Sequence, residues 1–204
     1  MLKERNMRKG NIDLSNTIKQ SKVLSAAVAI AFAVALLPTG TKAQSGGAPT
    51  DPQIVGIVTA ADQIDINYAK LALSKTKNRE VRDFAQQMIT DHHTSVQNSV
   101  NGLAAKLNVT PADSGTSNSL NAQVQQMMQK LQGLRGKAFE KAYIDNEVAY
   151  HQAVINATKT VLIPSAQNAE LKSALEGATP LFEGHLQHAE RVQSAIEGQA
   201  SSAM

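Results

Sequence analysis

Within the stretch YIDNEVAYHQAVI, residues 143–155, Glu147 and His151 lie four positions apart among apolar side chains. Residues four apart sit one above the other on a helix. A carboxylate and an imidazole therefore share the face that the apolar residues turn inward. Such a pair suits proton exchange or ligation of a transition metal. With about 100° of turn per residue, His92, His185 and Asp65 fall within about 20° of the centre of their own apolar stripes, and Glu147 and His151 within about 45° of theirs. Asp62 is marginal, and His188 stands about 80° off its stripe. His93 lies about 85° away and Asp91 further still, so His93 reads as a surface residue.

The stripes define the elements that must position these groups. Asp51 and Pro52 can cap and start helix one, which runs to about Ser74 on Ile54, Ile57, Val58, Ala61, Ile64, Tyr68 and Ala72. The short break KTKN implies an antiparallel hairpin into helix two, about 79–107, on Val81, Phe84, Ala85, Met88, Ile89, Val96, Leu103 and Leu107. After NVTPADSGTSN, a shorter amphipathic helix spans about 119–134 and is punctuated by Gly133 and Gly136. Helix three covers about 137–162 and stops near Pro164. Helix four covers about 168–197, and Pro180 within it predicts a kink or a break. No strand-like alternation of useful length occurs. The expectation is an all-α bundle of four long helices, with an extra short helix between helices two and three.

Depth along these helices follows from the rise of about 1.5 Å per residue. From the turn near Lys77, Asp65 and His92 stand roughly 18 and 22 Å away. From the turn near Ser165, Glu147 and His185 stand roughly 28 and 29 Å away, with His151 one turn closer. Both pairs lie mid-bundle and can converge. Buried carboxylates are paired, hydrogen-bonded, neutralised or metal-bound. Asp65, His92, Glu147, His151 and His185 are thus candidate ligands for iron, manganese, zinc or copper. The competing reading is a structural one, in which the same groups form a hydrogen-bonded polar layer that sets helix register. Met127 and Met128 suggest copper less than ordinary core packing. Tyr143 and Tyr150 read as core residues with hydroxyls at an edge.

Composition narrows the function classes. Residues 1–43 have the layout of an export signal: basic residues up to Lys22, an apolar run from Val23 to Leu37, and Thr41-Lys42-Ala43 before Gln44. The apolar run is short for a spanning helix, which needs roughly 20 residues. Seven of the 20 Lys and Arg but two of the 17 Asp and Glu lie in 1–43, which leaves residues 44–204 at net charge −2. The basic balance belongs to the signal, and no Lys/Arg cluster with interleaved aromatics remains to bind nucleic acid. With no cysteine, there is no disulfide framework, thiolate site or lipidation point. Residues 44–51 read as a flexible tether, 52–197 as the bundle, and 198–204 as a frayed tail. The location expected is exported and periplasmic, with a metal ion, a second copy or an envelope protein as the partners left open. No nucleophile elbow or phosphate loop appears, which disfavours a hydrolase.

Three segments carry a resemblance: VRDFAQQMITDHH (81–93), GKAFEKAYIDNEVAYHQAVI (136–155) and LFEGHLQHAE (181–190). With them, residues 52–197 resemble a family of exported bacterial proteins with a ferritin-like helical domain. That family is described as a domain of unknown function and often labelled "predicted outer membrane protein". The resemblance implies a ferritin-like four-helix bundle and export, and it matches His92, His151 and His185 to the family's recurring histidines. It implies no activity. Ferritin-like di-iron sites use Glu-x-x-His pairs, whereas this chain has Asp91-His92 and Glu147-x-x-x-His151. That departure favours a mononuclear or histidine-rich site for storage, sensing or redox protection. Under the structural reading the chain is a non-catalytic envelope or stress-related protein.

Overall fold

The computed structural model describes residues 47–92 and 97–201. The chain is all-helical, with no strand among the described residues. Its helices are α1 (Asp51–Lys75), α2 (Arg79–Asp91), α3 (Gln97–Lys106), α4 (Gly115–Gly133), α5 (Gly136–Ala157), α6 (Ile163–Ser165) and α7 (Ala169–Ser201). A π-helical turn at Thr158–Leu162 joins α5 to α6. The predicted export signal (1–43), His93 and Val96 lie outside the described residues. Helix two of the sequence reading corresponds to α2 and α3. No helix among the described residues is long and apolar enough to cross a membrane.

Local chemistry accounts for the helix ends. The Thr50 backbone N–H donates to Gln53 Oε1, three residues on, and Pro52 occupies the first turn of α1. Asn78 caps α2 by accepting from the N–H groups of Glu80 and Val81, and Asn168 caps α7 by accepting from Glu170 and Leu171. Asp51 accepts from the backbone N–H groups of Gln167 and Asn168, both at 2.9 Å, and so ties the start of α1 to the start of α7. At the end of α5, the Ile163 N–H reaches back five residues to the Thr158 carbonyl. Pro164 follows immediately, and its nitrogen has no hydrogen to continue a regular ladder.

Two expectations change at α7. Of the kink or break expected at Pro180 the break does not occur, and the helix continues to Ser201, beyond the expected end at residue 197. Pro180 cannot donate to the carbonyl one turn back, but the Thr179 hydroxyl donates to the Leu175 carbonyl at 2.9 Å and adds a local bond beside the gap. Packing of α7 on α5 and α2 supplies the rest.

The core lies between α1, α2, α5 and α7, built on Phe84, Met88, Tyr68, Phe139, Tyr143 and Ile144, all fully buried. Each such large side chain contributes about 1.5–3 kcal/mol by leaving water. Met127 and Met128 pack in and against this core, as the packing interpretation of the methionines expects. Helix α1 packs on α2, α3, α4 and α5. Above its first turns the segment after α3 crosses so closely that a Cβ on Gly56 would stand 2.2 Å from the Ala112 carbonyl oxygen. The Ala112 N–H meets the Pro52 carbonyl there at 2.9 Å. Gly56→Ala, favourable by helix propensity alone, is therefore expected to lower stability by about 1–3 kcal/mol. Thermal unfolding checks this, and a raised melting temperature would contradict the close crossing.

Candidate metal centre

The five sequence-selected side chains come from four helices: Asp65 from α1, His92 from the residue that ends α2, Glu147 and His151 from α5, and His185 from α7. All five are at least 96% buried. Ring centroids lie 5.2 Å apart for His92 and His185, 5.4 Å for His151 and His185, and 6.3 Å for His92 and His151. Two donor sets form, His92 with His151 and His185, and Asp65 with Glu147 and His151. In each set one nitrogen or oxygen per residue lies within 4.8 Å of the others.

Each histidine is held by one ring nitrogen. His92 Nδ1 is bonded to Asp62 Oδ1. His151 Nδ1 stands 3.0 Å from the Glu147 carbonyl oxygen, and His185 Nε2 stands 2.9 Å from Asp91 Oδ2. An oxygen acceptor at each of these positions draws the ring proton to that nitrogen and orients the ring. The other nitrogen of each ring, His92 Nε2, His151 Nε2 and His185 Nδ1, is buried without a hydrogen-bond partner. Asp65 Oδ2 stands 2.8 Å from His92 Nε2 and 3.4 Å from His151 Nε2, close as charges but without hydrogen-bond alignment.

Burial and charge work against each other here. Burial alone would push Asp65 up, but the neighbouring imidazoles, His92 foremost, hold it at about 2. Burial would likewise depress His92, yet the Asp65 charge and the bond to Asp62 raise it to about 10. His185 is lowered to about 4 by burial against the opposing bond to Asp91, and burial also lowers His151. Glu147 is raised well above the carboxylate range by burial and by the Asp65 charge, so it keeps its proton. Without a metal, the centre holds one imidazolium between two aspartates, two neutral imidazoles and a protonated glutamate. Three tyrosines stand round it. Tyr150 donates to the Ala61 carbonyl at 2.7 Å, while the Tyr68 and Tyr143 hydroxyls are buried without partners.

Some participants were not visible in the sequence as such. Asp62, marginal on its stripe, is 3% exposed and holds His92. Asp91, which points away from the α2 stripe, crosses to α7 and orients His185. The Asp62-x-x-Asp65 spacing, one turn on one helix, was the available signal for the first. Asn146 is also buried, with neither amide atom hydrogen-bonded. His188, at the stripe margin, bonds Gln87 at 2.7 Å through Nδ1 and is not among the converging groups.

Fold and site together define an all-helical protein with a buried histidine and carboxylate centre. The chain belongs to the family described as Domain of unknown function (DUF4142), whose model matches residues 36–192. No curated protein and no solved structure matches the chain.

Proposed function

We propose that the chain is an exported, ferritin-like helical protein whose core binds a transition metal ion of the iron, manganese, zinc or copper group. Asp65, His92, Glu147, His151 and His185 are its ligands in this reading. One observation carries it: three buried imidazoles each have one ring nitrogen tied to an oxygen and the other without a hydrogen bond, Asp65 standing beside those of His92 and His151 as a charge, and one donor atom from each ring lies within 4.8 Å of the others. Histidines that bind metal are oriented in this way, by a carboxylate or backbone carbonyl behind the ring. Two donors bonded to one ion at about 2.1 Å stand no more than about 4.2 Å apart. The 4.8 Å spread of the donor sets therefore closes with small side-chain adjustments. The donor set is nitrogen and oxygen only, which suits these metals. Because both donor groups use His151, one ion is the natural load, and that favours sensing or redox protection over bulk storage. The apolar run and small-residue end of residues 1–43 support a periplasmic location.

A second reading has its own support. The imidazolium of His92, clamped by Asp62 and Asp65, is a buried ionic layer that by itself sets the register of α1 against α2. The chain would then be a non-catalytic envelope protein. Elemental analysis of natively exported protein, dialysed without chelator, separates the two. Near-stoichiometric metal is expected, falling to background in His151→Ala and His185→Ala. Protein that never carries metal, yet melts lower in those variants, would establish the structural role instead.

A further inference from the structure

Beside the histidines the core is not filled. A cavity of about 340 Å³ lies between α1, α3, α5 and α7. Close-packed interiors leave few voids larger than a water molecule, and ligand pockets begin at about 300 Å³. The wall is largely aliphatic and aromatic, with Ile57, Val100, Val154, Leu175 and Phe182 from the four helices. A water held there would need about two to four polar partners, which these side chains do not offer. Among the polar lining residues Asp62, His92 and His151 stand together, and Thr158 and Ser99 are hydroxyl-bearing residues of the same wall. The Tyr150 hydroxyl, also on the wall, is already given to the Ala61 carbonyl. Ser99, Ala174 and Gly177 line the space and are exposed, so it reaches the surface between α3 and α7 past small residues.

These features state the chemistry of an occupant. A cavity of about 150 Å³ holds one benzene ring, so this one takes on the order of a dozen carbons. A carboxylate head would meet the like charge of Asp62 on the wall, where the His92 cation is already paired with that aspartate, and a bare alkane would leave the imidazole end unmatched. We propose that the cavity binds one linear or single-ring hydrocarbon molecule with a single uncharged oxygen function, its carbon chain along the apolar wall and its oxygen at the His92 and His151 end. This goes beyond the metal reading and does not require it, although the two share those histidines.

The test titrates the purified protein with 1-decanol and, in parallel, with decanoate, by calorimetry, before and after chelator treatment. Saturable binding of decanol with a negative heat-capacity change is expected, about tenfold or more tighter than decanoate. Ala178→Phe from α7 and Val154→Phe from α5 each fill the space and should weaken binding by about tenfold or more while helical circular dichroism and metal content persist. Either variant suffices if the other fails to fold. Absence of saturable decanol binding, equal affinity for decanoate, or unchanged binding in a folded filled variant overturns the proposal. Metal-bearing protein that ignores decanol sinks the cavity proposal alone, and decanol binding by protein that never holds metal sinks the metal reading alone.

Discussion

Replacing Asp65 by alanine is expected to lower the stability of the metal-free protein by about 3–5 kcal/mol. The Asp65 carboxylate is fully buried and stands against the inner nitrogens of His92 and His151. It is held at about 2 while His92 is raised to about 10, so the two form an ion pair inside the protein. Removing the carboxylate leaves a buried imidazolium with Asp62 as its remaining close anion, or forces His92 to give up its proton. Either outcome costs more than the methylene and cavity contribution of the side chain. Loss of Asp65 also removes the charge that, beside burial, raises Glu147, which offsets part of the damage. Urea unfolding at constant slope measures the change. Asp65→Asn, which keeps the shape and drops the charge, should show most of the same loss. An asparagine variant as stable as the parent would refute the ion-pair account.

Periodicity carried the architecture a long way. The stripes of α1, α2, α5 and α7 follow the 3.6-residue repeat, so inward histidines and carboxylates could be picked by angle and compared in depth by rise per residue. Asp65, His92, Glu147, His151 and His185 fall into two donor sets that share His151, a proximity that regular helix geometry made legible. What lay beyond reach depends on tertiary cover. Helix α1 is packed by α2, α3, α4 and α5, so its stripe has no exposed margin, and Asp62, off-centre by angle, is buried all the same. Asp91 points away from the apolar face of its own helix, yet α7 lies where it points. The passage of α7 through Pro180 has the same origin: burial of the helix against α5 and α2 outweighs one missing backbone bond, and local propensity cannot report that.

The metal-free protein is expected to be most stable near pH 6.5, and metal binding should tighten steeply above it. Between about pH 4 and 6.5 the unfolded chain protonates His185, whose folded value is about 4, so stability rises with pH. His151, also lowered, adds a second proton in that direction. Glu147 opposes them from its ordinary value of 4.5 upward, because its buried carboxyl keeps a proton that the unfolded chain has released. Above 6.5 the folded His92 retains a proton until about 10 while the unfolded histidine is neutral, so stability falls as pH rises. The slope from His92 alone is about 1.4 kcal/mol per pH unit. Urea unfolding of chelator-treated protein near about pH 5, 6.5 and 8.5 checks the shape, and stability climbing steadily through the highest of these would contradict it. A metal ion enters only by displacing those same protons. If His92 alone is deprotonated on binding, apparent affinity gains about tenfold per pH unit; if Glu147 also ligates, the dependence is steeper wherever its raised carboxyl still holds a proton. Glu147→Gln then reduces the steeper dependence to about tenfold while leaving the His92 component in place. The pH slope of metal affinity thus counts which of the two protonated groups joins the centre.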